Sequence, residues 1–598
     1  MARKKFWALA LSALLGGASA GGCNGSIGDS GASGSSGGGT VGPGGSILPG
    51  GGAGTGNGSS GNGSTGNGGT GTGNGSGNGS GSIGGGSSGA PADPNAAGPM
   101  PLRRLTSREY NNTVRDLLGD TSNPANGFPV DHDSDFLFRR AGIVSTTDLD
   151  SLKDAAEATA AGVEAKATTL APCSGAEDAC AKKFINDFGL RAYRRPVVQE
   201  EIDRLMALYT AGRGTLMLNY AGAIRLIVEG MLQSPAFLYH WELGYEKPTV
   251  EGDYVKLNPY ENASRLSYFI WGSMPDSTLF DAAAANKLGT PEELTAQAKR
   301  MLGDAKARDT VTSFATEWLN LDTITDRPKD PMFYPEYNDA LKAAMTSELQ
   351  SFITNVVFDG DGSFKTLLQS TGSYVNQALG TLYGVQGVQG AAMKQASLNE
   401  AERAGLLTRA GFLTITAVTN ASSPVKRGHK VYDRFMCGPL PSPPNNVPPA
   451  KPPTAAGTTR QHFEEHDKNP CTGACHKLMD PLGFAFEHYD GIGKYRDMEN
   501  GIQVDSTGSI DLDGGSHAFK DARELSKILA ESPTVSRCFA TEWLRYAFKR
   551  AEVDADNASI NQALDSFGQK TSVTDLIVSL VGSRTFRYRT PGMGENLQ

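Results

Sequence analysis

PCTGACHKLMDPLGFAFEHYDGIGKYR, Pro470–Arg496, is the stretch from which the rest of this chain is read. Within six residues it holds two of the seven cysteines and one of the eight histidines: Cys471, Cys475 and His476. Two thiols beside an imidazole are the groups that attach a haem covalently. The thiols add to its vinyl groups and the histidine ligates iron. The common spacing is C-x-x-C-H; here Thr472, Gly473 and Ala474 separate the cysteines. Cysteines at i and i+4 share one helix face, so both thioethers stay within geometric reach. Other chemistry fits the same residues. A Cys471–Cys475 disulfide suits an exported chain. His462, His466, Cys471 and Cys475 form an H-x3-H…C-x3-C array with ligand spacing for zinc, although an oxidising compartment favours pairing the thiols. Two buried, unreacted cysteines are the blandest alternative.

The N-terminus reads as an export signal. Arg3, Lys4 and Lys5 precede an apolar run, Phe6 to Leu15, and small residues lead to Cys23. The run is too short to span a bilayer. Ala20-Gly21-Gly22-Cys23 is similar to a bacterial lipobox, with Ala20 where leucine is usual, and makes Cys23 the candidate lipidation site; ordinary signal cleavage is the alternative. Residues 24–97 are almost wholly Gly, Ser, Asn and Thr, which cannot bury a core and are expected to be disordered. A coil of that kind has an r.m.s. span of roughly 45 Å. It would hold a folded body away from a membrane.

From about Pro101 onward the pattern is mainly helical. Thr106-Ser107-Arg108-Glu109 is a capping box, with Leu105 and Tyr110 placed for a hydrophobic staple. A second helix is expected from Leu149 to about Ala167, and two more around a break at Pro196. Tyr220–Leu243 is an apolar helix interrupted at Ser234-Pro235, and residues 259–272 turn Leu266, Phe269 and Ile270 inward. Arg191, Arg194 and Arg195 read as a solvated helix end, and Trp241, Trp271 and Trp318 as core. Cys173 and Cys180 bracket a polar loop and are expected to form a local disulfide. Lys430–Met436 is helical before a proline-rich strap, IQVDSTGSIDLDGG reads as a hairpin, and Leu525–Ala530 and Val535–Phe548 return to helix. By elimination, Cys437 pairs with Cys538.

The run C..CH…DP.GF..E..D..G..R, carried by Cys475, His476, Asp480, Pro481, Gly483, Phe484, Glu487, Asp490, Gly493 and Arg496, resembles the cytochrome c-like domain of planctomycete-type proteins of unknown function, found also in myxobacteria. LRRLTSREYNNTVRDLLG, AIRLIVEGMLQSPAFLYHWE and RAGLLTRAGFL extend the resemblance from about residue 101 to 590. It implies a mainly α fold: a multi-helix body with a cytochrome c-like unit and a small β-hairpin, after the Gly/Ser-rich stalk. The expected boundaries are 1–23 signal peptide, 24–97 linker, 98–170, 171–245 and 246–400 helical domains, 401–500 cytochrome c-like domain, and 501–598 C-terminal domain. It further implies haem c on Cys471 and Cys475, His476 as proximal ligand, and His466 as distal ligand or haem-edge residue. Met479 is too close in sequence to reach the opposite face, and Met498 is a weaker ligand candidate. Asp480, Glu487, Asp490 and Arg496 are expected to fix the fold, or in the case of Arg496 to meet a haem propionate.

Phosphate-binding loops, serine-hydrolase elbows and H-E-x-x-H helices do not occur, so no enzyme class is assigned. A net charge of −9 argues against general nucleic-acid binding. Two functions remain from the sequence. One is an exported, lipid-anchored redox protein of the outer membrane or cell surface, or of the periplasm, serving a redox partner. The other is a non-redox scaffold that binds extracellular polysaccharide or another envelope component.

Overall fold

Thr106 and Glu109 close the start of the first helix among the described residues, α1 (Ser107–Leu118), as a reciprocal capping box. Thr106 N donates to the Glu109 carboxylate at 2.9 Å, and Glu109 N to Thr106 Oγ1 at 3.3 Å. The helix stops at Gly119, whose φ of 69° is a left-handed conformation that costs glycine nothing. In this computed structural model the residues described are 92–131, 136–142, 144–243, 248–440, 457–466, 473–568, 570–592, 595 and 597. The expected signal sequence, most of the expected linker and most of the proline-rich strap lie outside them.

The chain continues through α2 (Thr146–Ala161), α3 (Val163–Leu170), α4 (Glu177–Tyr193), α5 (Gln199–Gly214), α6 (Tyr220–Leu232) and α7 (Pro235–Leu238). The single helix expected over 149–167 is thus two, joined at Gly162, where the chain turns without a side-chain cap. These elements enclose a first core built on Tyr110, Phe184, Ile224, Met231 and Phe237. The arginine cluster is not a solvated helix end. Arg194 is 3% exposed and donates to the carbonyls of Ala192, Ala236, Phe237 and Tyr239, while Arg195 pairs with Glu201. Arg194 therefore gathers the unpaired carbonyls where two helices end.

Helix α8 (Pro259–Trp271) joins this core to a second one. Every residue from Glu261 to Trp271 is buried; Tyr268 faces the first core and Leu266, Phe269 and Ile270 the second. Its buried polar side chains find partners inside the protein: Asn262 Nδ2 donates to Leu288 O and Arg265 to Glu242. The second core is formed by α9 (Ser277–Ala284), α10 (Pro291–Leu302), α11 (Ala305–Leu319), α12 (Asp339–Phe358), α13 (Phe364–Gln369), α14 (Gln377–Tyr383) and α15 (Ala410–Ile415), with the C-terminal helices closing over it. At its centre Phe314 stacks on Trp543 at 3.8 Å between ring centroids. Trp271 and Trp318 belong to this core, whereas Trp241 is only half-buried.

The sheets are small. β1 (Thr249–Glu251), β2 (Tyr254–Lys256) and β9 (Tyr588–Arg589) form one antiparallel sheet in the order β1-β2-β9, with Val255 opposite Arg589. β3 (Gly372–Val375) pairs with β4 (Lys394–Ser397). The expected hairpin starts later than its sequence pattern. β7 (Gly508–Leu512) pairs with β8 (Gly515–Phe519), and β6 (Ile502–Gln503) turns back instead onto β5 (Met498–Glu499). The residues just before the body are fastened to its far end. Thr590 N donates to Gly98 O, Thr590 Oγ1 to Ala97 O, and Arg584 Nε to Asn95 O.

Disulfides join Cys173 to Cys180 and Cys437 to Cys538. Such bonds are typical of chains that mature in an oxidising compartment. Among the described residues, no helix is long and apolar enough to cross a membrane.

Candidate cofactor site

Two helices carry the motif. α16 (Pro424–Met436) begins with Ser423 as N-cap and Pro424 in its first turn, a position where the missing N–H is no loss. It is longer than the Lys430–Met436 helix read from the sequence, because its first turns look charged and polar. α17 (Thr459–His466) precedes the motif, and α18 (Gly473–Phe484) carries it. α16 and α18 lie directly against each other. Their crossing is made by two glycines. A Cβ added to Gly428 would overlap the Met479 carbonyl and lie 3.0 Å from Gly483 N; one added to Gly483 would overlap the Pro424 carbonyl. Backbone meets backbone here, which only glycine permits.

His476 sits one turn into α18 with its Nδ1 2.9 Å from Asp480 Oδ2, four residues on. Asp480 is 1% exposed. Facing a carboxylate, Nδ1 is the donor of this pair, so the neutral form of the ring is the Nδ1–H tautomer. A buried carboxylate behind an imidazole is also how metal-ligating histidines are oriented and made more basic. Of the other proposed ligands, Cys471 lies outside the described residues. The side chains of Cys475 and His466 do too, although their helices are described. His462 is on α17, and its Nε2 is buried with no hydrogen-bond partner among the described residues. Met479 is buried in α18, and Met498 is exposed in β5.

Behind α18 a buried ionic chain holds the motif's remaining polar residues. Arg427 of α16 is fully buried. It donates to the carbonyls of Phe486 and Tyr489 (2.8 Å each) and Asp490 (2.6 Å), and lies 3.8 Å from Glu487. Glu487 accepts from Ser422 Oγ at 3.0 Å and lies 3.4 Å from Arg496. Burial raises its carboxyl above the usual range, against the pull of Arg427 and Arg496. Arg496 donates through Nε to Glu487 O (3.1 Å) and pairs through Nη1 with Glu499 Oε1 (2.9 Å). Glu499 in turn accepts from Thr459 N and Oγ1 at 2.8 and 2.7 Å, fixing the start of α17. Asp490 closes the following turn by accepting from Ile492 N (2.9 Å) and Lys494 N (2.8 Å). Glu487, Asp490 and Arg496 therefore do the structural work expected of them, and the guanidinium of Arg496 is engaged within the protein.

Arg427, Gly428 and Lys329 were not singled out by the sequence. Lys329 donates to Thr414 O (3.3 Å) and Val418 O (2.8 Å), and burial, with Arg427 nearby, lowers its ammonium to about 7. No sequence pattern marks a lysine or arginine whose partners are carbonyls from another element.

The fold and motif define a mainly helical protein in which the helix that follows from a cytochrome-like C-x3-C-H motif crosses its neighbour through two glycines. Five family models match it in succession, each described as a protein of unknown function: DUF1587 over 103–164, DUF1595 over 180–242, DUF1592 over 257–385, DUF1588 (labelled PSCyt3) over 403–499, and DUF1585 over 515–586. The chain belongs to the planctomycete-type family of multi-domain, cytochrome c-like proteins of unknown function. No curated protein and no solved structure matches it.

Proposed function

We propose that this is an exported haem c protein of the cell envelope, lipid-anchored through Cys23, that transfers electrons. The supporting observation is the His476–Asp480 pair: an imidazole next to a cysteine, oriented by a carboxylate that is itself almost wholly buried. Haem bound to Cys471 and Cys475 would supply one-electron chemistry at iron. The chain's own contribution is positional. Asp480 holds the proton on Nδ1 and aims Nε2. The Gly428–Gly483 crossing and the Arg427–Glu487–Arg496–Glu499 chain keep α16, α17 and α18 in one arrangement.

The test is protein produced with a cytochrome c maturation system. The expected result is a denatured mass raised by about one haem and a pyridine haemochrome band. His476→Ala should abolish low-spin absorbance, and Asp480→Asn should alter the spectrum while the adduct remains. A Cys471–Cys475 peptide two hydrogens lighter than its reduced form, with no haem, would overturn this reading and leave the polysaccharide-binding scaffold. For the anchor, Cys23→Ser should move the protein from the membrane fraction to the soluble one. Unchanged partition would remove the lipid from the proposal without touching the haem.

A further inference from the structure

Away from the C-x3-C-H unit, the Cys437–Cys538 disulfide ties the end of α16 to α20 (Pro533–Phe548). This helix follows α19 (Ala522–Glu531) in the chain. A carboxyl stands over the bond. Glu542, one turn beyond Cys538, is fully buried, and its Oε1 lies 3.9 Å from Cys437 Sγ. One Glu542 oxygen and the two sulfurs lie within 4.8 Å of one another, and no other such group of histidine, cysteine and acidic side chains occurs among the described residues. Arg545 Nη1 donates to Glu542 Oε1 at 3.0 Å and lies 4.0 Å from Cys437 Sγ. The two sulfurs differ in access, since Cys437 is partly exposed and Cys538 is 2% exposed.

We propose that Cys437–Cys538 is a thiol–disulfide exchange centre for a partner dithiol, with Glu542 as its proton carrier. A partner thiolate attacks the accessible Cys437 Sγ, the S–S bond breaks, and the electron pair leaves on Cys538 Sγ. That buried thiolate takes the proton of the Glu542 carboxyl. The partner's second sulfur, having lost its proton to solvent, attacks its own sulfur in the mixed disulfide. It releases Cys437 as a thiolate beside the Arg545 guanidinium, which stabilises it. The partner dithiol is oxidised to its disulfide and gives up two electrons; the cysteine pair is reduced. Glu542 and Cys437 regain protons from solvent.

The electrostatics fit a proton carrier. Burial raises the Glu542 carboxyl to about 7, opposed by Arg545 and Arg434 and reinforced by Asp433 and Glu552. Lys430 also feels its charge. The acid form that supplies the proton is therefore present below about pH 7 and lost above it. Cys173–Cys180 has no such cluster and serves as a control within the same chain.

The experiment treats the full-length protein with dithiothreitol from pH 5.5 to 9, quenches by alkylation and reads each cysteine by mass spectrometry, while circular dichroism monitors the fold. Rates are expressed per dithiothreitol thiolate. The expected result is reduction of Cys437–Cys538 in folded protein, with a per-thiolate rate that falls as pH rises through about 7. Glu542→Gln should lower the rate below pH 7 by about 10²-fold and flatten the profile. Reduction only upon unfolding, or a profile in Glu542→Gln parallel to wild type, would overturn the proposal. Should Glu542→Gln fail to fold, the unmutated chain decides by itself: profiles of the same shape for Cys437–Cys538 and Cys173–Cys180 would overturn it, and a fall confined to Cys437–Cys538 would uphold it.

Discussion

Gly483→Ala is expected to separate α18 from α16 and to unfold the segment that carries His476. The added Cβ would overlap the Pro424 carbonyl oxygen and lie 2.7 Å from Pro424 Cα. Overpacking a core that can shift its side chains costs about 1–3 kcal/mol. Here the obstacle is main chain on both sides, so no rotamer can relieve it, and the loss should exceed that range. Gly428→Ala meets the reciprocal obstacle at the Met479 carbonyl and should behave alike. Gly214→Ala is the control, since nothing lies within 4 Å of its would-be Cβ; it should be neutral or slightly stabilising. Urea midpoints and near-ultraviolet circular dichroism of the three variants measure this. A Gly483→Ala midpoint equal to that of Gly214→Ala would show that the helices part without cost.

The second large effect is expected at Arg427. Arg427→Met removes the donors to Phe486, Tyr489 and Asp490 carbonyls and strips Glu487 of one of its two nearby cations. Breaking one side of a buried pair costs about 3–5 kcal/mol, because the other charge stays behind without compensation. Arg427→Lys should recover little, since a single ammonium cannot reproduce a planar fork reaching three carbonyls. Arg427→Met with Glu487→Gln should be more stable than Arg427→Met alone, because the stranded carboxylate is then neutral. Equal stability of the single and double variants would place the loss in the carbonyl contacts and not in the charge.

The first of these effects was half legible in the sequence. Gly483 stands in the DP.GF stretch, so its position was marked, but its reason lies in Gly428, one glycine among 75 in a charged-looking segment. A glycine's partner across a crossing leaves no trace in local periodicity. The capping box at Thr106 and the inward face of α8 were readable because both depend on residues three or four apart. Arg194, Arg427 and Lys329 were not readable. A buried cation whose partners are distant carbonyls has the same local pattern as one in water. β5 and β6 are two residues each, too short for an alternating pattern to register. Glu542 looked like any acidic residue on a helix until the fold placed it over a disulfide.

The fastening of Asn95, Ala97 and Gly98 to Arg584 and Thr590 has a mechanical consequence. A pull applied at the N-terminal side of the body reaches the last elements of the chain before it reaches α1. It is borne by the main-chain bond from Thr590 to Gly98, the Thr590 hydroxyl on Ala97 and the Arg584 guanidinium on Asn95. Behind them stands β9, paired to β2. Force entering at one end of the body is handed at once to the other, so it strains this clasp before it disturbs the helices around His476.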